Sequence, residues 1–326
     1  MKPNFIFRPY QIGDEHAIQA GFAEAFASYR TLETWHWIYT HNPEGARIML
    51  AWADNGELAA HYACTVHTAT WDGQPVSVGL IRDIFSNPAY RTFSRGRRGI
   101  FVQTIAEFVN TWTGANQLIM LYGFPSERSF RIGQLFMRYQ LLTHWSYYRY
   151  PLPTEPRQHT ALGVLNTLEH FDSAFDRLWE RRVKHYSFAI HRTARFLNWR
   201  FIEIPHRHYW SWRFSAFLSN EVLGYLVIAP NPPQAQLVDF CFPEEPQLAL
   251  SFWQQVVELL RWRGIKMVET WFAGSGSESQ RLQALGFQIH PLENLMTPVF
   301  RSFHEDLDSQ WLDAHFYYTM ADSDLY

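Results

Sequence analysis

Residues 79–110, GLIRDIFSNPAYRTFSRGRRGIFVQTIAEFVN, constrain the fold more than any other stretch. Residues 76–85 are apolar and rich in β-formers, and Asn87-Pro88 stops them because proline cannot continue a ladder. Ile100, Ile105, Phe108 and Val109 then recur at helical spacing. Between the two lie Arg91, Arg95, Gly96, Arg97, Arg98 and Gly99. Up to four guanidinium groups therefore converge on a helix start, where free N–H groups and the positive helix end attract an anion. A second strand follows over residues 117–122. The same turn can also be read as a solvated surface loop. Neither G-x-x-x-x-G-K-[ST] nor a G-x-G-x-x-G after a strand occurs in the chain, so the two commonest phosphate loops are excluded.

A length of 326 residues fits two domains, and 47% apolar against 18% charged residues describes a folded chain. The formal net charge of −3 argues against nucleic acid, whose backbone requires a broad basic face. Cys64 and Cys241 stand in opposite halves, as in a reducing compartment without disulfides. No run of about 18 apolar residues exists, so a soluble cytoplasmic protein without membrane contact is expected. The histidine pairs His61/His67 and His206/His208 lack partners at metal-ligand spacing, and no metal site is expected.

Along the chain, residues 5–8 read as a strand. Asp14 reads as a cap for a helix over 16–29, and a second helix spans 32–41. Strands over 48–52 and 58–70 are joined by the hairpin signal Asp54-Asn55-Gly56. The later half repeats this order. Trp37 and Pro43 are six apart, as are Trp199 and Pro205. Asp54–Leu58 is echoed by Ser219–Leu223, and Asp83 by Asp239 within LVDF. A helix over 248–262 and a strand over 266–271 then follow. After Asp239, however, the sequence is FCFPEEP, whose carboxylates repel a pyrophosphate, so only the first half is expected to hold one. Pro151, Pro153 and Pro156 make a stiff connection. The expected division is 1–150, a connection over 151–170, and 171–326. The tail, 303–326, reads as an ordered strand followed by a loose end.

The order of parts resembles the GCN5-related N-acetyltransferase (GNAT) superfamily. The carrying residues are Gly96-Arg97-Arg98-Gly99-Ile100-Phe101 at the helix start and Leu285-Gly286-Phe287 late in the chain. Asp83, Tyr90-Arg91, Gly99-Ile100-Phe101 and Tyr122-Gly123-Phe124-Pro125 resemble its two-domain bacterial branch. The resemblance implies an α+β (mixed α/β) fold: two tandem domains, each a mixed, mostly antiparallel twisted sheet flanked by helices. It implies an acyl-CoA-dependent N-acyltransferase that moves an acetyl or other acyl group from acetyl-CoA, or another acyl-CoA, to a small-molecule or peptide amine. The second copy then keeps the fold without the nucleotide and serves the acceptor site or the structure.

On that resemblance, Arg91, Arg95, Gly96, Arg97, Arg98, Gly99 and Ile100 hold the pyrophosphate, and the backbone of Ile84, Phe85 and Ser86 serves the thioester. Transfer needs a deprotonated amine, donors for the oxyanion and a proton for the thiolate. Asp83 is the candidate base, or else pairs with Arg82, Arg91 or a backbone turn. Tyr122 is the candidate acid, or else packs against Phe85. The superfamily's usual tyrosine is replaced by Gln134, and the glycine four residues later by Arg138. An acyl-CoA-binding or sensing protein without catalysis therefore stays open, as does an aminoacyl transferase of the peptidoglycan cross-bridge type. The acceptor and oligomeric state are left undetermined.

Overall fold

The computed structural model describes residues 3–91, 96–156, 159–205, 207–273, 276–291 and 298–326, apart from the side chains of Arg97, Glu127 and Arg128. In chain order the elements begin with β1 (Phe5–Pro9), α1 (Glu15–Phe26), α2 (Leu32–Tyr39), β2 (Ala46–Ala53), β3 (Leu58–Trp71) and β4 (Gln74–Ser86). There follow α3 (Ile100–Trp112), β5 (Leu118–Gly123), α4 (Glu127–Met137), β6 (Gln140–Leu141), β7 (Trp145–Pro151) and β8 (Val164–Thr167). Next come α5 (Ser173–Arg182), β9 (Phe188–Ile190), α6 (Ala194–Leu197), β10 (Trp210–Ser215), β11 (Val222–Asn231) and β12 (Gln234–Cys241). Then come α7 (Pro246–Trp262), β13 (Met267–Ala273), α8 (Gly276–Ala284), β14 (Gln288–His290), β15 (Val299–Ser302), α9 (Ser309–His315) and β16 (Phe316–Thr319). No described helix is long and apolar enough to cross a membrane.

Two compact units emerge. The first comprises Met1–Ala69, Pro75–Leu142 and Met296–Trp311, and the second Thr70–Gln74, Thr143–Leu295 and Leu312–Tyr326. The sheet of the first unit runs β1-β2-β3-β4-β5-β15-β6. Only β4 and β5 are parallel among its given registers. Its core gathers Tyr62, Cys64, Ile81, Ile105, Phe108, Leu121 and Val299. The spacing that predicts a helix after Gly99 is met by α3, which buries Ile100, Thr104, Ile105 and Phe108. Asp14 stands at the start of α1 without capping it by its side chain. The stronger charge of Arg8 takes the carboxylate instead, at 2.6 Å and 2.8 Å.

In the second unit the order β8-β10-β11-β12-β13 repeats the plan, with β12 and β13 parallel within it and β16 parallel to β9 beside it. Trp145, Tyr147 and Tyr148 belong to β7, which pairs with all of β13 from Met267 to Ala273. β12 covers only Met267–Glu269. Phe272 and Ala273 pair with Thr319 and Tyr318 of β16. Since β7 fills one edge of β13 completely, β16 must lie on the edge that β12 leaves.

The strand expected in the tail is β16, and the residues that follow it through Ser323 are buried and not loose. Arg192 donates to Asp322 at 2.8 Å and 2.5 Å, to Asp239 at 3.0 Å and to the Thr319 hydroxyl at 3.2 Å. Arg200 donates to the carbonyls of Ala321 and Ser323 at 3.0 Å and 3.2 Å. All of Met320–Asp322 is buried, with the Asp322 carboxylate and the Ala321 carbonyl both held by arginines.

Replacing Arg192 by leucine leaves Asp239 and Asp322 facing each other, both at 2% exposure or less. Removing one partner of a buried pair costs about 3–5 kcal/mol. Arg192→Leu should therefore lower the urea midpoint by a corresponding amount, and an unchanged midpoint would show that the triad does not hold the tail.

Candidate active site

The site in the first unit begins where two parallel strands part. β4 and β5 pair from Ser77–Leu118 to Leu80–Tyr122, with an irregularity between Ser77 and Val78. β5 then ends at Gly123, while β4 continues to Ser86. On its other edge β5 carries β15, from Met120 to Gly123. Ile84, Phe85 and Ser86 thus lie on β4 beyond its last pairing with β5, as an oxyanion-binding strand requires.

The turn at α3 lies close by in sequence. Gly96 takes φ +60°, a region open to glycine without strain. Gly99 caps α3 in extended conformation with no side-chain hydrogen bond. The first-turn N–H groups of a helix have no intrahelical acceptor, and a glycine cap supplies none, so this end suits an external anion. Arg98 is exposed. Arg91 is directed elsewhere, with its guanidinium donating to the Ser86 carbonyl at 2.6 Å and 3.0 Å. Arg95 and the Arg97 side chain lie outside the described residues. Tyr90, from the Tyr90-Arg91 motif, is buried and ties the β2–β3 hairpin by donating to Glu57 at 2.5 Å.

Asp83 is the most constrained residue of the site. It has φ +49°, rare for a residue with a Cβ. Its carboxylate pairs with Arg30 and accepts from the Tyr39 hydroxyl at 2.5 Å. Sequence reasoning offered Arg82 or Arg91 as partners, but Arg82 lies over the Trp37 ring. Arg30 was missed. The signal was present: Arg30-Thr31 precedes Trp37 as Arg192-Thr193 precedes Trp199. In both copies the threonine caps a helix and the arginine binds the equivalent aspartate.

Burial alone would raise the Asp83 pKa, but Arg30 and the Tyr39 hydrogen bond hold it below the ordinary value. Burial and the Asp83 charge push Tyr39 far above its own, so it remains a donor. His61, on β3, is fully buried. Its Nδ1 lies 2.7 Å from the Asp83 carbonyl oxygen, and its ring stacks on Phe85 at 5.1 Å. A carbonyl can only accept, so Nδ1 carries the proton. α1 comes close here too: a Cβ on Gly21 would lie 2.6 Å from the Phe85 ring.

Known structures share this architecture. A GCN5-related N-acetyltransferase from Anabaena variabilis superposes with a TM-score of 0.65 at 13% identity, covering 92% of this chain and 73% of that one. A tandem GNAT protein from the clavulanic acid biosynthesis pathway gives 0.54 at 12%, covering 92% and 99%. The Saccharomyces cerevisiae N-myristoyltransferase with bound myristoyl-CoA gives 0.53 at 12%, covering 94% and 86%. The fold is that of the GCN5-related N-acetyltransferases, in tandem. No protein-family model matches the sequence, and no curated protein matches it.

Within the GNAT fold the remaining residues take these places. Tyr122 is buried on β5, with its ring edge to Phe124 at 6.3 Å. Gln134 is exposed on α4. Arg138, standing where the superfamily has glycine, ends α4 at φ +54°, matching Gly286 at φ +102° after α8. His67 is buried and His208 exposed, while His206 lies outside the described residues.

The buried His61 makes a pH prediction. Its pKa is pushed down to about 4, chiefly by burial. Unfolded, it titrates near ~6.5. Between those values the unfolded chain gains a proton that the folded chain does not, so stability present above pH ~6.5 is lost as pH falls towards 4. The loss attributable to this group is up to about 3 kcal/mol. His61→Asn should flatten that part of the curve in urea unfolding at pH 7 and pH 4.5, and an equally steep decline in the variant would refute the assignment.

Proposed function

We propose that the first GNAT unit binds an acyl-coenzyme A where β4 and β5 part and transfers its acyl group to an amine. One observation carries this reading: the same parting of strands is left by β15 on the far edge of β5 in the first unit, and is filled by β16 in the second. The copy with the glycine–arginine turn is the one whose strands part without an inserted strand among the described residues. Acetyl is the acyl group taken first for testing.

In this reading Gly96, Arg98, Gly99 and Ile100, with Arg95 and Arg97, receive the pyrophosphate at the start of α3, while Arg91 stays on the Ser86 carbonyl. The backbone N–H groups of Ile84, Phe85 and Ser86 meet the thioester oxygen as it becomes an oxyanion. Asp83, below its ordinary pKa and bound by two donors, is a weak base. It serves as the fixed anion that sets the end of β4, and the amine loses its proton to water before attack. Nitrogen then bonds to the thioester carbon, the carbon–sulfur bond breaks, the thiolate takes a proton from the Tyr122 hydroxyl, and the proton that the new amide nitrogen sheds returns through water to the Tyr122 phenolate. The acceptor is a small-molecule or peptide amine.

Calorimetry with coenzyme A tests the binding step. Wild type should bind, and Gly99→Glu should weaken binding at least about tenfold by placing a carboxylate at the anion site. Gly99 already has φ −64° and ψ 139°, so the substitution carries no backbone strain. Free-thiol release from acetyl-CoA over a panel of amines tests transfer. Binding without thiol release would make the protein an acyl-CoA-binding module, and absence of binding would discard the reading in favour of a charged-tRNA donor.

A further inference from the structure

The structure assigns His61 as a positioning residue: through the Asp83 carbonyl it holds the end of β4 in the bent form on which the proposed thioester donors depend. This rests on the acyltransferase reading for its function, and on geometry alone for its mechanism.

Asp83 is clamped from both sides. Its carboxylate is held by Arg30 and Tyr39, and its carbonyl by His61 Nδ1 at 2.7 Å. A residue with a Cβ stays at φ +49° only when its surroundings fix it there. His61 is well suited to the task. It is fully buried, its face lies on Phe85 at an interplanar angle of 10°, and its edge meets Tyr39 at 6.2 Å. Phe85 is two residues past Asp83, so one ring contacts the strand on both sides of Ile84. The groups facing the imidazole are Asp83, Arg30 and Tyr39, and their charges largely cancel. Burial keeps the ring neutral, so its proton stays on Nδ1 through the working pH range.

The second copy supplies the contrast. Asp239 keeps its arginine, Arg192, and its tyrosine, Tyr225 at 2.8 Å. It does not have positive φ. Its neighbours across the ladder are Leu226, Val227 and Ile228, and the irregularity there falls between Val227 and Ile228. The ion pair is thus common to both copies, while the left-handed aspartate and the histidine occur together in the copy that carries the cationic turn. The pair alone does not produce the bend; the hydrogen bond from His61 to the carbonyl is one difference between the copies and acts directly on the bent residue.

Three substitutions separate this role from a merely structural one. Asn at position 61 places an amide donor near the place of Nδ1, Gln places it near Nε2, and Leu offers none. His61→Asn should keep turnover of acetyl-CoA with the best amine of the panel within about threefold, whereas His61→Gln and His61→Leu should lose at least about tenfold in kcat, as expected for misplaced donors. The KM for acetyl-CoA should hold in all three, since the α3 turn is untouched, and the pH profile of His61→Asn should match wild type. Crystal structures of the Gln and Leu variants should show Asp83 out of the left-handed region. Equal losses in Asn and Leu, wild-type turnover in Leu, or Asp83 unmoved in both structures would overturn the assignment. If wild type neither binds coenzyme A nor releases thiol, the acyltransferase reading has failed, and the Asp83 conformation in the variants still decides this one.

Discussion

Two arginine–aspartate pairs, the part-buried Arg30 with Asp83 and the buried Arg192 with Asp239, organise the two copies. Each joins the chain just before a threonine-capped helix to the far end of a central strand. Burying both charges is costly, and the attraction repays that cost only with further hydrogen bonds. Both pairs have them, from Tyr39 in one copy and from Tyr225 and Thr319 in the other. An isolated carboxylate at either position could not stay ionised in such surroundings. The pairs therefore fix geometry more than they add stability, and in the first copy Arg30 and Tyr39 leave Asp83 a poor acceptor for a passing proton.

From this common frame the copies diverge at the strand gap. In the first, β4 runs on past β5 to Ser86, with Asp83 turned into the left-handed region. In the second, the chain's own tail enters beside β13, and Arg192 binds Asp322 of that tail as well as Asp239. An arginine with spare donors can hold two carboxylates at once. The same pair thus supports an opening in one copy and anchors an inserted strand in the other. FCFPEEP after Asp239 is consistent with this division, since nothing in it would hold a pyrophosphate.

Several features were legible beforehand for local reasons. α3 follows from the period of Ile100, Ile105 and Phe108, and the turn before it from Gly96 and Gly99. The duplication was visible in the Trp37 and Trp199 segments, and the same alignment held the Arg30 and Arg192 correspondence a few residues upstream of each tryptophan. His61 gave no such sign. It stands in a strand of almost wholly buried residues, and nothing in its neighbours shows that its partner will be a carbonyl 22 residues away.

The sequence by itself determined the strand–turn–helix order around α3, the doubled plan and which copy carries the cationic turn, because these depend on period, turn chemistry and charge along a few neighbouring residues. Tertiary structure alone decided that Asp83 is an ion-paired, left-handed residue held by Arg30, Tyr39 and His61. It alone also decided that Val299–Ser302 completes the first sheet and Phe316–Thr319 enters the second. Strand partners far apart in the chain are chosen by the free edges that the fold leaves, and a buried charge takes whichever partner the packing brings within reach.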